Sequence, residues 1–150
     1  MKHPRWTHAL FTDDDLDAIA AAVAAAERGT SGEIRVHLEP RLPRGRTAMD
    51  RARELFTRLG MQATANRNGV LLYLAVNDHV LAILGDVGVH AQVGDGYWER
   101  VRDAMVERLR AGAARDAVVG AVTDVGLVLR KFFPRRPDDR NELSDQVSLC

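Results

Sequence analysis

The chain has 150 residues and a mass of 16.6 kDa, and is 46% hydrophobic and 28% charged. These values fit one folded domain and exclude a disordered or collagen-like chain. Its 21 basic and 21 acidic residues cancel and the pI is near 7.0, which argues against a dedicated nucleic-acid binder, whose domain pI usually exceeds about 9.

The opening, Met1 to His8, lacks the apolar core of a signal peptide. No run reaches the roughly 18 apolar residues of a membrane span. A cytoplasmic protein without a transmembrane segment is therefore expected. Cys150 is the only cysteine, so the chain holds no disulfide framework. Of the 21 basic residues only Lys2 and Lys131 are lysines, a bias that suits bidentate ion pairs and equally a GC-rich genome.

Thr12 before Asp13, Asp14 and Asp15 predicts a helix N-cap with acids in the first turn, where they favour the macrodipole. Leu16, Ile19, Ala20 and Val23 continue the helical spacing to a stop at Gly29. A phosphatase-type Asp-x-Asp pair would sit at the end of a strand, not at the start of a helix. Glu33 to Leu38 alternates, with Ile34, Val36 and Leu38 on one face and Glu33, Arg35 and His37 on the other. This predicts a half-buried strand.

After a basic loop from Arg41 to Arg46, Thr47 caps a second helix over Ala48 to Leu59. Gly69 to Val76 and Val80 to Leu84 are apolar on both faces and flank Asn77, Asp78 and His79. They predict a central antiparallel hairpin that needs helical cover on each side. Gly85 to Gly96 reads as a glycine-containing loop. Helices starting at Asp95 and Arg115 complete the order, and a polar tail follows Phe133. The predicted fold is α/β, a mixed sheet with one parallel crossover and one antiparallel hairpin, helices on both faces. Residues 1–133 form the domain and 134–150 the tail, with Leu143 and Val147 able to dock on the body.

This topology sends the starts of the first two strands and the end of the third to one edge of the sheet. Glu33, Asn66, Arg67, Asn68 and Asp86 should therefore gather there. Two carboxylates and amide oxygens suit a hard cation such as Ca2+ or Mg2+, with Glu33, Asn68 and Asp86 as its ligands. The plainer reading pairs Arg67 with Asp86 or Glu33 at a loop corner. His3, His8, His37, His79 and His90 show no zinc spacing. Gly85, Gly88, Gly94 and Gly96 match neither a dinucleotide fingerprint nor a P-loop, so no nucleotide cofactor is expected. Ser31 and Ser144 lack a nucleophile elbow.

Arginines concentrate between Arg41 and Arg58, and basic residues again outnumber acids from Glu99 to Arg136. Such runs are solvated helix faces or meet an acidic protein partner or an anionic membrane surface. Lys131, Phe132 and Phe133 at the end of the last helix offer a peripheral membrane contact. Covering a two-sided sheet gives the same helix a core role.

The run RNGVLLYLAVNDHVLAILGDVGVHAQVGDGYWERV, with SGEIRVHL and LFTRLGM before it, resembles the TPM domain family. That family includes thylakoid-lumen phosphatase-like proteins, a photosystem repair factor and a receptor modulator. The NELSDQV tail is similar to that of a short, leaderless bacterial subgroup. The resemblance implies a Rossmann-like three-layer sandwich, and acid-phosphatase activity and divalent-cation binding in only some members, others being accessory proteins. Gly32 and Glu33 match the family's Gly-x-Glu, Asn68 and Gly69 its Asn-Gly, and Gly85 and Asp86 its glycine-rich turn.

Two positions depart from that pattern. Arg67 stands where many members carry Asp, and His90 where Glu is frequent. Both exchanges weaken a cation site and metal-assisted phosphoryl transfer, while Arg67 gains the ability to hold a phosphate directly. The expected function is an accessory or binding module with an anion- or cation-binding cleft, Arg67 and Asn68 contacting its ligand, and a protein partner. The alternatives are a weak phosphomonoesterase using Glu33 and Asp86, and a peripheral membrane adaptor.

Overall fold

A computed structural model of the chain describes residues 2–135 and 147–149. A 3-10 turn at Arg5–Ala9 leads into α1 (Asp13–Glu27), β1 (Glu33–Glu39), α2 (Ala48–Arg58), β2 (Gly69–Ala75) and β3 (Val80–Gly85). Then come α3 (Val87–Val93), α4 (Asp95–Arg110), α5 (Ala114–Phe132) and β4 (Ser148–Leu149).

Both early helices start where their caps predict. Thr12 with Asp15 and Thr47 with Asp50 form reciprocal capping boxes, each satisfying backbone N–H groups that a helix start leaves open. The acid triplet is thereby a helix start. Asp13 also accepts from His8 Nε2 at 2.9 Å and His3 N at 3.0 Å.

The strands lie in the order β3-β2-β1-β4. β1 runs parallel to β2 with Glu33 opposite Gly69, and β2 runs antiparallel to β3 with Val70 opposite Gly85. One face of the sheet, carrying Ile34, Val36, Leu38, Val70, Leu72 and Leu74, packs against α1, α4 and α5. The other face carries Leu71, Tyr73 and Ala75 and lies beneath α2. The mixed α/β fold with helices around the sheet is the one predicted, but of the hairpin expected at its centre only β2 is central and β3 lies at the edge. No helix among the described residues is long and apolar enough to cross a membrane.

Three details differ from the sequence reading. The segment read as a loop from Gly85 to Gly96 contains α3, capped by Asp86 and stopped by Gly94 at φ +75°. A polar cap and a glycine eight residues later were the available signal; Gly88 between them masked it.

β1 is not half-buried. His37 and Glu39 are as enclosed as its apolar face, His37 against Tyr73 of β2 and Glu39 beneath Arg51 of α2. The burial is tolerable because Arg51 of α2 clasps Glu39, donating from Nε to Oε2 at 2.8 Å and from Nη2 to Oε1 at 3.1 Å, and Tyr73 Oη also donates to Glu39.

Ser148–Leu149 of the tail pairs with β1 as a short parallel strand, His37 opposite Ser148. Val147 packs on the core; Leu143 lies outside the described residues. α5 buries Val118, Val122, Val125 and Leu129 and is chiefly a core helix, with Leu127 and Phe132 exposed.

Candidate functional site

The register fixes which groups share the rim. Glu33 and Gly69 begin adjacent parallel strands, and Gly85 ends the antiparallel one beside Val70. Backbone bonds hold the three ends together: Glu33 N donates to Asn68 O at 3.3 Å and Asp86 N to Gly69 O at 2.9 Å. All five residues expected at this edge are there, four of them in two separate groups and Glu33 apart from both.

The first group is an ion pair. Arg67 donates from Nε to Asp86 Oδ2 at 2.7 Å and from Nη2 to Oδ1 at 2.9 Å, the fork geometry that makes arginine–carboxylate pairs strong. Hydrogen bonding to Asp86, then its charge, raises the Arg67 pKa further above its ordinary value. Asp86 Oδ1 also accepts from Val87 N at 2.8 Å. The Arg67 side chain is 48% exposed and that of Asp86 5%.

Arg67 reaches this position from a left-handed backbone, φ +50°, a conformation that costs energy for a residue with a Cβ. Its carbonyl is held by Gly88 N at 2.9 Å. A Cβ on Gly88 would lie 2.1 Å from Asn66 O, so only glycine lets α3 approach the loop this closely.

The second group centres on Ser31, which the sequence reading weighed only as a nucleophile. Its Oγ accepts from Asn68 Nδ2 at 3.1 Å and stands 3.5 Å from Asn66 Nδ2. No local motif marks Ser31 as a rim residue; the fold alone brings it there. Asn68 is buried, and its Oδ1 has no hydrogen-bond partner among the described residues.

Glu33 shares this end of the sheet but is fully buried. β2 lies between it and the strand that precedes Asp86, a spacing of about 10 Å between backbones. The family-implied divalent cation does not fit this donor set. Both Asp86 oxygens are engaged by a guanidinium that would repel a cation, and Glu33 is sealed from solvent. Among the described residues no three His, Cys, Asp or Glu side chains are grouped to hold a metal ion.

The histidines are dispersed. His3 and His8 serve the start of α1, and His79 occupies the hairpin turn at φ +55°. His90 Nδ1 accepts from Trp98 Nε1 at 3.1 Å. His37 stacks against Tyr73, and burial lowers its pKa from 6.5 to about 4.

The basic run from Arg41 to Arg58 is partly consumed in pairs: Arg46 and Arg51 both reach Glu54, and Arg53 stands 3.9 Å from Asp50.

A family model for the TPM domain matches residues 7–128. The chain is similar to the BA42 protein of the psychrophilic bacterium Bizionia argentinensis, at 37% identity over 93% of this chain and 95% of that one, with a TM-score of 0.84. An N-terminal domain from P. gingivalis shares the fold at 20% identity, 85% and 83% coverage and a TM-score of 0.68. So does the N-terminal domain of the cg2496 protein from Corynebacterium glutamicum, at 14% identity, 79% and 74% coverage and a TM-score of 0.62. No curated protein matches the chain significantly.

Proposed function

The chain belongs to the TPM domain family, and from that premise we propose that it is a binding module whose sheet rim holds an anionic group of a partner without turning it over. The observation that carries this reading is the seat of Arg67. Two of its N–H groups are fixed on Asp86, and the half-exposed guanidinium has further N–H donors outside that pair. Asp86 thus aims the arginine rather than ligating a metal. A preorganised guanidinium suits phosphate or carboxylate.

The phosphomonoesterase reading needs Glu33 and Asp86 free to act, and neither is: one is buried and the other is paired. The membrane reading draws on Lys131, Phe132 and Phe133 at the end of α5, of which Phe133 packs against the core, and is weaker.

Titrating isotope-labelled protein with inorganic phosphate tests the proposal, beside an aryl phosphate assay with magnesium, calcium or manganese. Expected are saturable shifts at Asn66 to Asn68 and Asp86, weakened about tenfold or more by Arg67→Ala, as for a charge-assisted contact. No hydrolysis above buffer is expected. Metal-dependent turnover abolished by both Glu33→Gln and Asp86→Asn would restore the enzyme reading, and absence of any phosphate response at the rim would remove the anion site.

A further inference from the structure

α4 runs along β3 in the opposite direction, so that Trp98 stands by Ile83 and Gly85 while Val106 and Arg110 stand by Val80. α2 flanks the strand on its other side, with Ala48 near Leu81 and Met49 near Ile83. Between the two helices lies a cavity of about 590 Å³ at the Val80 end. A second, of about 330 Å³, continues it along Leu81 to Ile83, and Ala48 and Arg102 wall both.

The interior is aliphatic. Leu81 and Ile83 are 5% and 3% exposed, so packed side chains close the floor, and Leu42, Ala48, Val106 and Leu109 surround it. The one hydroxyl of that lining, on Thr47, accepts from Asp50 N to cap α2. A peptide would bring backbone N–H and C=O groups into walls with nothing to pair them, which costs free energy. An alkyl chain has no such groups.

The mouth is basic. Arg102, Arg110 and His79 are exposed there, and no acid shares the lining. Asp103 and Glu107 line the next depression along α4. Arg102 lies 3.9 Å from Asp103 with both side chains largely exposed, so it is only weakly neutralised. Arg110 forms no ion pair among the described residues. Toward Gly85, by contrast, Arg53 and His90 are matched by Asp95 and Glu99. An anion is thus favoured at the Val80 end alone.

We propose that this cavity binds one unbranched alkyl carboxylate, taken up as a free monomer. Arg110 and His79 hold its carboxylate, and its chain lies over Leu81 toward Ile83 between α2 and α4. Val80 to Ile83 spans about 10 Å, the reach of a chain of about eight to ten carbons. Arg102, midway, lays its methylenes beside that chain and keeps its charge in water. Burial of the chain supplies the affinity, and the guanidinium fixes which end points out.

The probe is sodium decanoate, titrated below its micellar concentration into isotope-labelled full chain. It should shift Val80 to Ile83, Ala48 and Val106 saturably. Butanoate should bind at least about a hundredfold more weakly, having lost most of the buried chain. Decanol should bind about tenfold more weakly, having lost the charge. Arg102→Gln with Arg110→Gln, both exposed on α4, should weaken decanoate about tenfold and leave decanol unchanged.

Equal affinity for decanoate and decanol, shifts that never saturate, or binding to anionic vesicles without binding of free decanoate would each overturn the proposal. Arg67→Ala should leave decanoate binding unchanged. Its loss in that variant would move the carboxylate to the rim, overturning this site while supporting the anion site there.

Discussion

Two arginines of this protein clasp carboxylates through the same two-pronged hydrogen bond, Arg51 on Glu39 beneath α2 and Arg67 on Asp86 at the rim. The surroundings separate them. The side chains of Arg51 and Glu39 are 9% and 7% exposed, and Tyr73 completes the satisfaction of the carboxylate. Arg67 is half in water and its carboxylate also caps α3. A closed pair fastens a helix to a sheet, because breaking it strands a charge where no water can follow. An open pair costs less to break and leaves its remaining N–H donors in water, within reach of an anion. Identical chemistry therefore yields an internal fastening in one place and a candidate binding group in the other.

The sharpest way to break this contrast is Arg51→Ala, which leaves Glu39 buried and uncompensated. It should destabilise the protein by about 3–5 kcal/mol, read from denaturant melts. A loss no greater than that of Arg67→Ala would mean that burial does not distinguish the two pairs.

Acid tests the same interior by another route. The His37 pKa is lowered to about 4 in the fold, against an ordinary value near 6.5. Between those values the unfolded chain binds the extra proton, so stability is complete above pH 6.5 and falls as pH drops toward 4, by about 2–3 kcal/mol. His37→Gln should flatten that part of the profile, provided the variant keeps the native fold. Burial raises the Glu39 pKa, but hydrogen bonds from Arg51 and Tyr73 outweigh this and leave it lowered. Its contribution persists until lower pH.

The smallest expected effect is that of Arg67→Ala on stability. Removing a half-exposed side chain opens Asp86 to hydration, so the melting temperature should fall by about 5 °C or less. A collapse comparable to that of Arg51→Ala would make the rim pair structural too, leaving it no freedom to serve a ligand.

Much of this was legible from local chemistry. The Thr12 and Thr47 caps, the hairpin and the meeting of Arg67 with Asp86 follow from cap residues, doubly apolar runs and a chain direction. The burial of the polar face of β1 was not legible. Glu33 and His37 look solvent-facing by alternation yet are buried, and Glu39, next on the same face, is enclosed with its charge met by Arg51 from a different element. α3 was hidden by Gly88 within it and by Gly85 and Gly94 on either side. Ser31 joined the rim only through spatial proximity to Asn66 and Asn68.

Taken alone, the order of residues determined every element but α3 and β4, the pairings among the first three strands and the edge of the sheet where the charged residues gather, because periodicity, caps and turn chemistry act over a few neighbours. Tertiary structure decided which charges are sealed and which face water, that Glu33 is set apart from Asp86, and that β3 lies at the edge of the sheet. Burial and distance across a fold depend on what other segments bring, and no local pattern encodes them.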